Sequence, residues 1–339
     1  MGIEIREVSL ALRVPFAISH SVIEQVDHIF LTMRGHAATA HGVIVQVPCM
    51  GDTVASSLEW SARIIRDHGD EIPLLDRVQD VRAFMRELAA TECPDRVRYG
   101  FEMLCLDHIG KVRKQSIAEL LGLSIPQTCL TAQTVTLGHS EIVAAGGFLK
   151  LKLGGRTDAD YLAFVRDQPH RRFILDVNGG WSLSDLERFA VELSLPNVLA
   201  LEEPLGNPSA DDLAALRMML PNTVILLDEC VRDINDVKRV LAHVDGINVK
   251  VAKFGGVFAS LDAIKFLKEN DKKVMLGCFV ESSLSITCAY ALSTLADWVD
   301  LDGATFLVGD PYAGVVVNQG QVSMPPGRTR PGVGCTSVN

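Results

Sequence analysis

A chain of 339 residues, 48% hydrophobic and 22% charged, has ample material for one large packed domain or two and reads as an ordinary soluble globular protein. Its net charge of −10 argues against a nucleic-acid partner, because a phosphate backbone is met by a basic face. No apolar run reaches the roughly 18 residues of a membrane span, and Met1-Gly2-Ile3-Glu4-Ile5-Arg6-Glu7 lacks the basic start and apolar centre of a signal peptide.

Taken in order, Ile3-Glu4-Ile5-Arg6-Glu7-Val8 and Gly42-Val43-Ile44-Val45-Gln46-Val47 alternate as strands do. Between them, Pro15-Phe16-Ala17-Ile18-Ser19-His20-Ser21 reads as a loop leading into a strand over 26–33. From Thr53 to Leu123 the apolar residues fall at helical spacing, and Gly122 marks a stop after Ala118-Glu119-Leu120-Leu121. A small α+β section therefore comes first. From Thr128 the texture becomes a repeat of about 25 residues. Eight short apolar strands are expected near 129–136, 148–153, 173–178, 198–202, 223–228, 246–251, 273–278 and 298–302. Seven helical segments lie between them, among them 158–166, 183–193, 210–219 and 257–269. That alternation predicts a closed parallel α/β barrel with helices outside and its active face at the C-terminal strand ends. Val315-Val316-Val317 and the Gly/Pro-rich tail over 325–334 are expected to return to the first section.

Eight cysteines, Cys49, Cys93, Cys105, Cys129, Cys230, Cys278, Cys288 and Cys335, include no Cys-x-x-Cys pair. This disfavours zinc and fits a reduced, cytoplasmic protein.

Chemistry concentrates at the strand ends. In Phe148-Leu149-Lys150-Leu151-Lys152-Leu153-Gly154, period 2 puts both lysines on one face, and ammonium groups in a packed strand require carboxylates nearby. Asp176, Glu202 and Asp228 end the next three strands and would converge at the barrel mouth. Three carboxylates together repel unless a cation sits among them, and an all-oxygen set suits Mg2+. Asn178, two residues beyond Asp176, could support that shell. Lys152 and Lys250, from the second and sixth strands, flank the mouth on opposite sides. A substrate carboxylate on the metal would have one lysine at each face of its α-carbon. Proton removal on one face and delivery on the other inverts the centre through a metal-stabilised enolate. Lys150 is expected to lower the pKa of Lys152 as a like charge.

Read singly, each residue is more economically structural: Lys-x-Lys is common, and acidic strand ends are usually solvated. Together, Lys150-Leu151-Lys152, Asp176-Val177-Asn178, Leu201-Glu202-Glu203-Pro204, Asp228-Glu229 and Asn248-Val249-Lys250-Val251-Ala252-Lys253-Phe254-Gly255-Gly256 resemble the enolase superfamily, muconate-lactonizing-enzyme subgroup, from about Phe101 to Asp310. The resemblance implies a (β/α)7β modified TIM barrel over 126–310. It also implies a capping domain over 1–125, joined by the tail 311–339, that closes the mouth and selects substrate. It further implies a homo-oligomer. None of the nine histidines falls at a barrel strand end, which disfavours a His–Asp base. Glu281 matches a subgroup position with an expected supporting role, while Glu203, Glu229 and Lys253 are expected to point away or serve structure, the two glutamates through ion pairs.

Subgroup members carry out cycloisomerisation, dehydration to o-succinylbenzoate, N-acylamino-acid racemisation and dipeptide epimerisation. Asp300-Leu301-Asp302-Gly303, after the eighth strand, resembles the Asp-x-Asp of dipeptide epimerases, where the pair binds the substrate's free α-ammonium. The opposing reading is an exposed strand end that binds water. Ala-Glu epimerases carry an arginine after the Pro-Phe of the first domain. Here that stretch, Ala17 to Glu24, has none, which argues against an L-Ala-D/L-Glu substrate. His20 and Ser21 are the candidate substrate contacts in it, alongside Lys150 on the barrel, and Glu24 and Asp27 leave the side-chain preference open. The reading is thus a Mg2+-dependent dipeptide epimerase, with other reactions of the subgroup as alternatives. A non-catalytic scaffold barrel is disfavoured because all five essential positions are present.

Overall fold

In a computed structural model of the chain, residues 2–35, 37–47, 50–51, 53–137, 147–325 and 331–338 are described. An antiparallel meander of β1 (Ile3–Ile18), β2 (Ser21–Arg34) and β3 (Thr39–Val45) opens it. Four helices follow, α1 (Val54–His68), α2 (Val78–Ala90), α3 (Asp95–Arg113) and α4 (Ile117–Leu120). Thr53 caps α1 by accepting from Ser56 N at 3.1 Å, and Ser116 and Glu119 form a capping box on α4. The meander lies against α3, whose Val97, Phe101, Leu104 and Ile109 are fully enclosed. Close approach is possible because Gly42 has no side chain: a Cβ there would lie 2.2 Å from the Gly100 carbonyl.

The stretch expected to be a loop at 15–21 is instead the end of a hairpin arm. Phe16 pairs with Ile23, Ala17 with Val22 and Ile18 with Ser21, leaving Ser19 and His20 as the turn. A register shift between Ala11 and Phe16 absorbs the extra residues of β1, Pro15 among them, where a missing N–H costs no ladder bond.

The repeat region forms an eight-stranded sheet with every pairing parallel and strand order following the chain. The expected first barrel strand is split. β4 (Cys129–Leu130) pairs outside the barrel, and β5 (Ala132–Val135) begins it. Then come β6 (Phe148–Lys152), α5 (Asp158–Asp167), β7 (Phe173–Asp176), α6 (Leu183–Leu193), β8 (Val198–Glu202) and α7 (Ala210–Met219). β9 (Ile225–Leu227), α8 (Ile234–Val240), β10 (Gly246–Lys250), α9 (Val257–Glu269), β11 (Lys273–Gly277), α10 (Ser283–Tyr290) and β12 (Trp298–Val299) complete the repeat. The helix expected between β5 and β6 falls on 138–146, outside the described residues, as do Cys49 and positions 326–330 of the tail. At the seam between β5 and β12, side chains replace the ladder. Leu301 N donates to Thr131 Oγ1 at 2.9 Å, and Thr134 N donates to an Asp302 carboxylate oxygen at 2.7 Å. Among the described residues no helix is long and apolar enough to cross a membrane.

The barrel interior explains where the charges go. Ala132, Phe148, Ile174, Ala200, Leu226 and Met275 form one apolar plug, a residue from each of six strands. Two residues further along, on the same face by strand period, stand Thr134, Lys150, Asp176, Glu202 and Asp228. The plug closes the bottom, so the next layer up must be polar and self-neutralising.

The tail carries β13 (Tyr312–Ala313), β14 (Val316–Asn318), β15 (Gln321–Ser323) and β16 (Thr336–Ser337), with β15 pairing β4. It returns toward the sheet cap, where Tyr312 stacks on Phe30 at 5.3 Å and Gly332 O accepts from Ile117 N at 3.1 Å. Cap and barrel are also pinned by a carboxylate borrowed across the junction. α9 has no side-chain cap of its own, and Glu102 of α3 accepts from Phe258 N at 2.8 Å. Gly256, at φ 130°, is needed beneath it, since a Cβ there would meet Glu102 Oε2 at 2.2 Å. Burial raises the Glu102 pKa to about 8, against the lowering by the Phe258 and Val257 amides and by Arg82 and Arg98.

Because the folded-state pKa lies above the ordinary glutamate value, the folded chain holds this proton more tightly than the unfolded one between roughly pH 4.5 and 8. Stability therefore falls as pH rises through that window, by up to about 1.4 kcal/mol per pH unit. In Glu102→Gln, whose amide oxygen can still accept from Phe258, the melting temperature rises relative to the parent as pH goes from 5 to 8. Parallel melting curves for the two proteins across that range refute this account.

Candidate active site

Each charged side chain of the upper barrel layer is buried and paired. Lys150 Nζ lies 2.9 Å from Asp176, 2.9 Å from Glu202 and 2.8 Å from Asp300. Lys152 Nζ donates to Asp176 Oδ2 at 2.6 Å, and Lys250 Nζ is 2.5 Å from Asp228 Oδ2. Lys253 Nζ donates to Asp228 Oδ1 and to its carbonyl, both at 2.6 Å, and Asn248 Nδ2 donates to Glu202 Oε1 at 2.7 Å. Asp176, Glu202 and Asp228 are all 0% exposed.

Burial alone would drive these charges toward neutrality, and the partners decide otherwise. For Asp176, burial is outweighed by Lys150 and Lys152, and its pKa falls to about 2. Asp228 is lowered by Lys250 and Lys253 against burial. Burial, with Asp176 beside it, raises Glu202. For Lys150, desolvation is overcome by Asp176, Asp300 and Glu202, which hold the ammonium well above the ordinary lysine range. Lys150 is therefore not the bare like charge beside Lys152 that the Lys-x-Lys spacing suggested. Three carboxylates absorb its field. Asp228 and Glu229 likewise outweigh burial at Lys250 and raise its pKa.

As the side chains stand, no group of three or more His, Cys, Asp or Glu among the described residues is drawn together tightly enough to hold a metal ion. Ammonium groups lie between the carboxylates instead. The donor chemistry nonetheless fits a hard cation. Asp176, Glu202 and Asp228 end adjacent strands, and the oxygens they turn inward, Glu202 Oε2 and Asp228 Oδ2 among them, are met within the described residues only by ammonium groups, Lys150 at 2.9 Å and Lys250 at 2.5 Å, whose positive charge a cation would supply in their place. Lys253 holds Asp228 through Oδ1, so Oδ2 meets Lys250 alone.

Above this layer is a cavity of about 1210 Å3 whose lining includes Lys150, Lys152, Asp228, Lys250, Asp300 and Asp302 from the barrel and His20 and Ser21 from the hairpin turn. Asp300 and Asp302 are 4% and 6% exposed, so they are not a solvated strand end. Asp300 Oδ1 is buried without a hydrogen-bond partner, while Oδ2 takes the Lys150 ammonium. Burial, with Asp300 next to it, raises the Asp302 pKa to about 7 against the hydrogen bonds from Thr134. His20 is exposed, its Nδ1 3.0 Å from Ser19 Oγ, and it is the one histidine among the described lining residues.

Three expectations from strand alternation need correction, and backbone geometry gives the reason. Glu203 and Asn178 have φ of 38° and 48°, so the chain leaves β8 and β7 by left-handed turns and the alternation ends there. Among the described residues Glu203 makes no ion pair: it accepts from Asp228 N at 2.6 Å and Cys230 N at 3.1 Å, and burial followed by Glu229 raises its pKa. Glu229 accepts from Asn178 Nδ2 at 2.8 Å rather than from a cation. Asn178 thus reaches Asp176 through its backbone N–H at 3.1 Å, not its side chain. Glu203 and Glu229 both line the cavity. Glu281 is enclosed outside the lining, accepting from Phe279 N at 2.7 Å and from Ser285 Oγ. Asn248 and Thr134 were missed as partners of Glu202 and Asp302. Period 2 from Lys250 back to Asn248 was the available signal for the first, and nothing local pointed to the second.

Residues 139–337 match the Enolase C-terminal domain-like family. Over 334 residues the chain is 27% identical to an L-Ala-D/L-amino acid epimerase from Maribacter sp., covering 96% of this chain and 97% of that protein. It superposes at a TM-score of 0.82 and 25% identity on an enolase family member from Agrobacterium tumefaciens with homology to dipeptide epimerases, crystallised with sodium and L-Ala-L-Glu. That match covers 95% of this chain and 97% of the other. A dipeptide epimerase from Enterococcus faecalis complexed with Mg and L-Leu-L-Tyr shares the fold at a TM-score of 0.85 and 21% identity, covering 99% of each chain. The buried lysine–carboxylate layer at the barrel mouth and these matches lead to one conclusion: the chain belongs to the Enolase C-terminal domain-like family of the enolase superfamily and is most similar to its dipeptide epimerases.

Proposed function

We propose that this protein epimerises dipeptides, with Mg2+ held by Asp176, Glu202 and Asp228. At the coarser level it is an isomerase of the epimerase and racemase kind, acting on amino-acid derivatives. The observation that carries the dipeptide reading is that Asp300 and Asp302 line the same cavity as Lys152 and Lys250, with Asp300 Oδ1 lacking a partner. A buried acceptor that receives nothing is costly, and a substrate ammonium supplies the missing donors. When bound, the cation neutralises charge that develops on the substrate carboxylate as the α-proton leaves. The chain's own groups do the rest. The neutral amine of one lysine takes the α-proton, and the ammonium of the other delivers a proton to the opposite face. Residues 1–125 with 311–339 serve as the cap that shuts water out, and 126–310 as the catalytic barrel. The absence of an arginine over 17–24 argues against an Ala-Glu preference.

One observation favours a second reading. The Lys150 ammonium already occupies Asp300 Oδ2 at 2.8 Å, and if it stays there, a substrate without an ammonium, such as an N-acylamino acid, fits the site.

The deciding experiment incubates the protein with Mg2+ in D2O with pooled L,L-dipeptides and reads deuterium at the α-carbons by mass spectrometry. Incorporation with inversion is expected. Exchange of N-acylamino acids in place of dipeptides would transfer the assignment to a racemase. In Asp300→Asn, kcat/KM for dipeptides falls by about two orders of magnitude, while Mg2+ affinity by calorimetry stays put. Unchanged dipeptide turnover rejects the ammonium seat. Since the Asp302 pKa lies near 7, its carboxylate is ionised, and binds a cation, only above that pH. KM for the dipeptide should therefore fall as pH rises through about 7, and Asp302→Asn should remove that limb. A limb that persists in the variant belongs to another group.

A further inference from the structure

Among the buried lysines of the barrel mouth, Lys152 and Lys250 differ from the others in what surrounds them. Lys150 touches three carboxylates. Lys253 is tied to a carboxylate and two carbonyls, and although Phe254 lies 5.4 Å away, that ring is not part of the described cavity lining. Lys152 and Lys250 each have one carboxylate partner and one aromatic ring, and both rings line the cavity. Lys152 Nζ is 5.8 Å from the centre of Phe16, and Lys250 Nζ is 4.6 Å from that of Phe279.

The two rings come from different elements, β1 of the antiparallel sheet and the loop after β11 of the barrel, and are separately braced. Phe16 arrives on the hairpin arm of the cap. It packs edge-on to Phe306 at 4.9 Å and 88°, while Ser19 Oγ donates to Asn178 O at 3.1 Å and Leu137 N donates to Ala17 O at 3.2 Å. Phe279 follows β11, and its N–H is held by Glu281 Oε1 at 2.7 Å. Glu281, which lies outside the cavity, thereby acts on it through Phe279.

We propose that Phe16 and Phe279 are positioning residues, each holding one proton-transfer lysine on its own side of the substrate α-carbon, so that each ring governs exchange from one epimer only. This rests on the epimerase reading above. A ring face attracts an ammonium through its quadrupole but has no lone pair with which to take the proton, and its bulk keeps water off the nitrogen. On the ring's side the proton has no acceptor, so apart from the one carboxylate partner of each lysine its route leads to the α-carbon. On one side the C–H bonding pair stays on carbon while the proton passes to the neutral amine. On the other side an ammonium N–H proton passes to carbon and leaves its bonding pair as the amine lone pair. A second carboxylate in the ring's place, added to the one each lysine already meets, would hold the ammonium against that exchange.

The test measures initial rates of α-deuterium wash-in from each pure epimer of a turned-over dipeptide, with Mg2+ present. Lys152→Ala and Lys250→Ala, each silencing exchange from one epimer, first establish which lysine faces which. Phe16→Leu should then slow exchange from the Lys152 epimer roughly tenfold and leave the other within about twofold, with Phe279→Leu giving the mirror image. Phe16→Tyr, which keeps the ring, should restore the Lys152-side rate, and melting curves establish that each variant is folded. Equal losses from both epimers, or no loss in a folded variant, overturn the proposal while leaving the epimerase reading intact. No wash-in from any dipeptide with the parent protein overturns both.

Discussion

The constraint on which this structure depends is the burial of charge. Four ammonium groups, Lys150, Lys152, Lys250 and Lys253, face four carboxylates, Asp176, Glu202, Asp228 and Asp300, on the inner wall of one barrel, all nearly closed to solvent. An ion of that kind taken from water without a partner costs several kcal/mol. The arrangement survives because each charge has its opposite within about 3 Å. Such a layer is costly as a means of stability alone, since apolar side chains of similar volume would pack as well or better. The layer nonetheless draws on six strands or their ends.

The site is completed by parts that are not in the barrel. The hairpin arm of β1 and β2 lays Phe16, His20 and Ser21 over the strand ends, while Glu102 caps a barrel helix from the cap side. His28, buried in β2, accepts from Ser282 N at 3.2 Å in the loop that follows Phe279 and Glu281. Cap and barrel thus share hydrogen bonds at the helix ends that face the cavity.

Much of this was legible without coordinates because it depends on period and spacing. Lys150 and Lys152 on one face, carboxylates ending successive strands and Lys250 four strands on follow from strand alternation and a repeat near 25 residues. The reading went astray where alternation stops. Glu203 and Asn178 enter positive φ and swing their side chains to partners just beyond the end of β9. The Pro15–Ser21 stretch is paired through a register shift that no local pattern announces. Lys150 was assigned an electrostatic effect from its neighbour in sequence, whereas its field is taken up by Asp176, Asp300 and Glu202, of which Asp300 lies 150 residues away.

The sequence by itself therefore determined the class of fold, the family and which residue types meet at the mouth, since these depend on apolar periodicity and on charges that must find partners. Only the tertiary structure decided how those charges pair, that Asp300 Oδ1 is left without a partner and which aromatic rings face the two lysines. The physical reason is range. Alternation and helical spacing act over a few residues, while ion pairing, desolvation and ring contacts depend on distances across strands and between cap and barrel, which exist only once the chain has closed on itself.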